Sequence, residues 1–171
     1  YTSSAASDVY KRQIVYKGFL YAGLMINKED IKVLEYNCRF GDPETQPILM
    51  RMKSDFLDLC FKAARKELHN QSIEWDDRFA LGVVMASKGY PEKYETGFPI
   101  SGIFEESSYV KVFHCGTKKE LNEIRSDGGR VLCVTGLGDS LNDAFNITYK
   151  ATSKINWEGA FYRKDIGKRK Q

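Results

Sequence analysis

Two apolar runs, Phe19–Ile26 and Ile31–Asn37, meet across the polar tetrapeptide Asn27-Lys28-Glu29-Asp30 and stop at Gly41-Asp42-Pro43. This stretch leaves the chain least freedom. Runs of that length joined by a short polar connection predict two strands of a hairpin. Proline cannot donate to a strand ladder and glycine permits a turn, so the second strand must end there. Helical spacing follows, first in Ile48, Leu49 and Met52, then in Phe56, Leu57, Cys60, Phe61 and Ala64. Ser54 or Asp55 is placed to cap the second helix.

Beyond the polar stretch Asn70–Asp77 the character changes. Phe79–Ala86, Tyr109–His114 and Arg130–Thr135 predict strands, separated by turns such as Lys88-Gly89-Tyr90-Pro91. Ser140, with Asp143 three residues on, predicts a capped helix whose apolar face is Leu141, Ala144, Phe145, Thr148, Ala151 and Ile155. The fold class expected is α/β (α+β), in two parts, 14–74 and 75–171. Tyr1–Gln13 has no sustained periodicity, and Ala5–Gln13 resembles a translated sequencing adapter. Residues 1–13 are therefore read as a non-native or disordered leader. The native sequence would then begin near Ile14, in a protein that extends further upstream.

Composition narrows the function classes. No apolar run approaches the roughly 18 residues of a membrane span, and the polar N-terminus lacks a secretory core. The net charge of +3 arises from interleaved acidic and basic residues, which argues against a nucleic-acid-binding face. Cys38, Cys60, Cys115 and Cys133 are widely separated and lack the spacing of a zinc or redox pair. Reduced thiols in a cytoplasmic protein are expected.

The chemistry concentrates in Glu35–Glu44. Strand alternation turns Glu35 and Asn37 to the same face, with Cα atoms roughly 6.5 Å apart. Two oxygen donors so placed can converge on one hard cation, and magnesium combines few side chains with phosphates and water. No histidine or thiol pair competes for a softer metal. Taken alone, the pair reads more readily as the solvent face of an amphipathic strand. Leu34 and Tyr36 fall on the opposite face and are expected to anchor it in a core. Arg39-Phe40-Gly41-Asp42-Pro43-Glu44 then adds a guanidinium, a tight turn and two carboxylates within six residues. A guanidinium grips phosphate or carboxylate oxygens through two prongs, and phosphoryl transfer needs mainly charge on those oxygens and positioning.

Glu35–Glu44, continuing through Thr45–Met50, resembles the signature of the phosphoribosylamine–glycine ligases (glycinamide ribonucleotide synthetases) of the ATP-grasp superfamily. Tyr21–Met25, Gly128–Leu132 and Gly159–Arg163 resemble the same family in the same order, so the likeness runs from about Ile14 to Lys170. It implies the C-terminal end of an ATP-grasp catalytic domain followed by a small β-rich C-terminal domain. The implied enzyme is an ATP-dependent carbon–nitrogen ligase of de novo purine biosynthesis. It joins glycine to 5-phosphoribosylamine through a glycyl phosphate, with ATP as co-substrate. The resemblance makes Glu35 and Asn37 the Mg2+ (or Mn2+) ligands, and gives Arg39 and Asp42 the placing of the phosphoryl group and substrates.

Gly128-Gly129-Arg130 could present backbone N–H groups and a cation to an anionic substrate, or could be a plain turn. Related enzymes often carry a further acidic ligand on the preceding strand, but Phe19–Ile26 has no Asp or Glu. No glycine-rich nucleotide loop is present, so the adenine-contacting residues cannot be assigned. The partner this implies is the N-terminal ATP-grasp segments of the same chain, without which the 171-residue chain is expected to be inactive. The alternatives are another ATP-grasp carboxylate–amine ligase, or a non-catalytic binding module on the same scaffold. His114 is read as a strand-end histidine bonded to backbone. Asp58 is read as a surface charge without a partner, and Trp75 and Trp157 as core or interface anchors.

Overall fold

The computed structural model describes residues 16–105 and 107–168. The leader assigned to residues 1–13, and the native start near Ile14, lie outside the described residues. The chain divides into two compact units, one formed by residues up to Gly41 with Ser54–Glu74, the other by Asp42–Lys53 with Trp75 onward.

In the first unit β1 (Tyr21–Asn27) and β2 (Asp30–Asn37) form the expected antiparallel hairpin, with a bulge between Gly23 and Leu24. Lys28 takes a positive φ of 55° at the turn. After β2 the chain is pinned by aromatic packing: Phe40 stacks on Phe19 at 4.0 Å, and Phe56 lies 5.7 Å from Phe19. Phe56 opens α2 (Phe56–Arg65), which Asp55 caps by accepting the Asp58 backbone N–H. That settles the choice between Ser54 and Asp55.

Two expectations fail in this unit. Leu34 is 62% exposed and Tyr36 38% exposed, so they do not anchor β2 in a core. A two-stranded ribbon supplies no second layer of its own on which to bury a face. Asp58 is not partnerless either: Lys62 lies 2.6 Å from it, one helical turn on.

The second unit holds the core. Its sheet runs β4 (Val110–His114), β7 (Arg130–Gly138), β3 (Phe79–Ser87), β8 (Ala160–Tyr162), antiparallel throughout. The central strand β7 is buried from Val131 to Gly138. Both faces of the sheet are covered, and alternation sorts the cover. Gly136 faces Thr148 of α3 (Leu141–Thr152), whereas Gly82 faces Pro47 of α1 (Thr45–Arg51). Thr148 Oγ1 also donates to the Leu81 carbonyl at 3.2 Å, tying α3 to β3.

The predicted Ser140 cap is present as a complete capping box with Asp143, a device whose loss costs about 1 kcal/mol. Trp157, 3% exposed, joins Met85, Val131, Leu132, Val134 and Ile155 in the main cluster, as an anchor should. Trp75 remains 40% exposed, bridged to Met52. The hairpin β5 (Thr117–Glu120) and β6 (Glu123–Ser126) was not expected from the sequence. Among the described residues no helix is long and apolar enough to cross a membrane.

Candidate functional site

On the β1–β2 ribbon, Gly23 pairs with Glu35 and Tyr21 with Asn37, which puts all four on one face. Asn37 Nδ2 donates to Glu35 Oε1 at 3.1 Å. Gly23 makes room for the carboxylate: a β-carbon there would lie 3.2 Å from Glu35 Cγ. A glycine inside a strand signals such a close approach, yet the sequence reading passed over Gly23.

The donor set suits a hard cation, since it offers a carboxylate and an amide oxygen and no sulfur or imidazole. Among the described residues no group of three or more His, Cys, Asp or Glu could hold a metal. Two protein oxygens would therefore be completed by phosphates and water. Arg39, in the same unit, is exposed and donates through Nη1 to the Phe40 carbonyl at 2.8 Å.

Asp42 lies in the second unit and meets Arg130. Arg130 Nη1 donates to Asp42 Oδ2 at 2.7 Å and to the Asp42 carbonyl at 3.4 Å. The pairing follows from the packing of α1 against β3 and β7, which brings Asp42, three residues before the start of α1, to the start of β7. The hydrogen bond to Asp42 is the chief cause that raises the Arg130 guanidinium above its ordinary pKa. Sequence reading could not see this contact, because the two residues are 88 apart.

The turn carrying Arg130 is held from below. Buried Ser87 donates its N–H to the Gly129 carbonyl and its hydroxyl to the Gly128 carbonyl, both at 2.9 Å. The Tyr90 ring lies flush on Gly129, where a β-carbon would overlap it. The Arg130 guanidinium sits over the same ring, 5.5 Å from its centroid. On the far side, Gln46 Nε2 reaches Cys115 Sγ at 3.6 Å, while Gln46 Oε1 is buried without a hydrogen-bond partner among the described residues.

The remaining candidates resolve locally. His114 Nδ1 is 2.9 Å from the Thr117 hydroxyl, so its partner is a side chain and not the expected backbone group. All four cysteines are free. Cys133 is buried, and desolvation pushes its thiol up to about 12.

The structure therefore brings Glu35 and Asn37 together in one unit, with Arg39 nearby in sequence, and joins Asp42 to Arg130 in the other. Residues 80–169 match the phosphoribosylglycinamide synthetase C domain, and residues 2–45 match the phosphoribosylglycinamide synthetase ATP-grasp (A) domain. The chain is 52% identical over 156 residues to the phosphoribosylamine–glycine ligase of Vibrio vulnificus, covering 90% of this chain and 36% of that protein. It is 54% identical over 155 residues to the Escherichia coli ligase, covering 89% of this chain and 36% of the other. The crystal structure of phosphoribosylamine–glycine ligase from Thermotoga maritima superposes with a TM-score of 0.80 at 35% identity, over 92% of this chain and 39% of that one. The chain thus spans about 36% of the length of the curated relatives it matches. With a C-domain match that spans more than half its length, the chain belongs to the phosphoribosylglycinamide synthetase family.

Proposed function

We propose that the chain supplies the metal-holding and phosphoryl-placing end of an ATP-dependent phosphoribosylamine–glycine ligase. In this reading the whole enzyme phosphorylates the carboxylate of glycine with ATP. The amine of 5-phosphoribosylamine then attacks the glycyl phosphate, forming the amide and releasing phosphate. A cytoplasmic setting in de novo purine biosynthesis goes with it. Residues 14–74 would close an ATP-grasp catalytic domain, and 75–171 would form the small C-terminal domain.

The observation that carries the reading is the Glu35–Asn37 pair, 3.1 Å apart on an exposed ribbon face opposite a glycine. Glu35 and Asn37 would hold Mg2+ or Mn2+, which when bound neutralises charge on the transferring phosphate oxygens. Arg39 would orient phosphoryl oxygens through its two-pronged guanidinium. Asp42 would place the substrates while holding Arg130, whose cation faces the anionic end of the phosphorylated amine.

The test is Glu35→Gln in the full-length enzyme. The variant should fold normally and need at least about tenfold more magnesium for half-maximal turnover, since even partners of a metal ligand affect affinity 10- to 100-fold. An unchanged magnesium dependence would refute the ligand assignment.

A further inference from the structure

Arg130 carries its charge on an exposed strand end, where a flexible side chain would sample many rotamers. Two contacts restrict it. Asp42 accepts from Nη1 at 2.7 Å, and the Tyr90 ring lies beneath the guanidinium at 5.5 Å. Tyr90 is itself fixed by its own N–H, which donates to the Ser87 carbonyl at 3.1 Å. Ser87 in turn bonds the carbonyls of Gly128 and Gly129, so the turn that bears Arg130 and the ring beneath it share one buried anchor. Gly129 lets the ring approach the backbone, because any larger residue would displace it.

We infer that Tyr90 is a positioning residue for Arg130, holding the guanidinium by ring and hydroxyl so that it meets the phosphate monoester of the amine substrate. The inference rests on the proposed function, in which Arg130 faces that anionic group. An aromatic face attracts a cation, and Tyr90 also makes a side-chain hydrogen bond with the Arg130 guanidinium, beside the one that Asp42 accepts from Nη1.

The test uses the full-length enzyme carrying Tyr90→Phe, Tyr90→Leu or Arg130→Ala, with ribose 5-phosphate as a competitive probe of the phosphate subsite. Tyr90→Leu should weaken ribose 5-phosphate inhibition and raise the KM for the phosphorylated amine, each roughly three- to tenfold. The KM for ATP and the thermal midpoint should stay near their wild-type values. Tyr90→Phe, which keeps the ring and loses the hydroxyl, should recover part of the loss in both constants. If Arg130→Ala weakens the probe but Tyr90→Leu does not, the positioning role is wrong while the reading of Arg130 stands. If neither variant changes probe binding, Arg130 does not meet the phosphate and the underlying reading fails as well. A Tyr90→Leu enzyme whose constants for ATP and amine decline together, in step with lost thermal stability, would overturn the inference in favour of simple packing.

Discussion

Arg130 donates to the Asp42 carboxylate at 2.7 Å from the first position of β7, although 88 residues separate the two in sequence. Their side chains are 39% and 48% exposed. Exposed ion pairs gain little in high dielectric and lose side-chain entropy, so the contact contributes weakly to the fold. Its value must be sought in what it presents.

A double-mutant cycle separates the two roles. Asp42→Ala and Arg130→Ala, singly and together, should show a coupling in folding free energy of at most about 1 kcal/mol. In the full-length enzyme each single variant should lower turnover at least about tenfold, because each removes a group assigned to substrate placement. Denaturant titrations and steady-state kinetics on the same four proteins make the comparison. Stability losses that account for the whole fall in activity would make the pair structural.

Gly23 offers a second handle on the metal-holding face. Gly23→Val would drive a branched side chain into Glu35, whose Cγ lies 3.2 Å from an added β-carbon. The hairpin should survive, since valine favours strands. Manganese binding, followed by paramagnetic resonance in the full-length enzyme, should weaken several-fold. Affinity equal to wild type would show that Glu35 is free to swing aside.

How much of this was legible in sequence depends on distance along the chain. Strand alternation alone put Glu35 and Asn37 on one face, and the Ser140–Asp143 spacing alone predicted the capping box, because both are local. The Asp42–Arg130 pair depends on α1 docking against β7 and leaves no local trace. Charged Thr117–Ser126 carries no apolar alternation, so its hairpin was invisible, and Leu121 at its turn is 98% exposed. Leu34 and Tyr36 mislead in the opposite sense: they read as core, yet both are exposed on the two-stranded ribbon.

The cysteines should differ sharply in reactivity. Only the thiolate attacks an alkylating reagent. Cys133 is fully buried, and desolvation holds its thiol near 12. Cys38 and Cys115 are both exposed, but desolvation raises the Cys115 thiol above its ordinary value. Iodoacetamide at neutral pH should therefore modify Cys38 first, Cys115 slowly, and Cys133 only in denaturant, as read by peptide mass spectrometry. Early labelling of Cys133 in the folded protein would contradict its burial.

Asp76 and Arg78 set an acid limit on the second unit. Arg78 donates Nε and Nη2 to the two Asp76 oxygens at 2.9 and 2.7 Å, and its backbone N–H adds a third bond at 3.0 Å. Those hydrogen bonds from Arg78 hold the Asp76 carboxyl well below the usual carboxylate range. A folded-state pKa depressed below the unfolded value, roughly 3.9, favours the folded state wherever the unfolded carboxyl is already ionised. The contribution is therefore complete above about pH 5 and is lost as the pH falls through the folded-state value. Asp76→Asn, which removes the charge at every pH, should destabilise the protein at pH 6 and do so progressively less toward pH 3. Urea midpoints of both proteins across that range supply the comparison. A gap that stays constant with pH would mean that the aspartate acts through shape and hydrogen-bond count, and not through its charge.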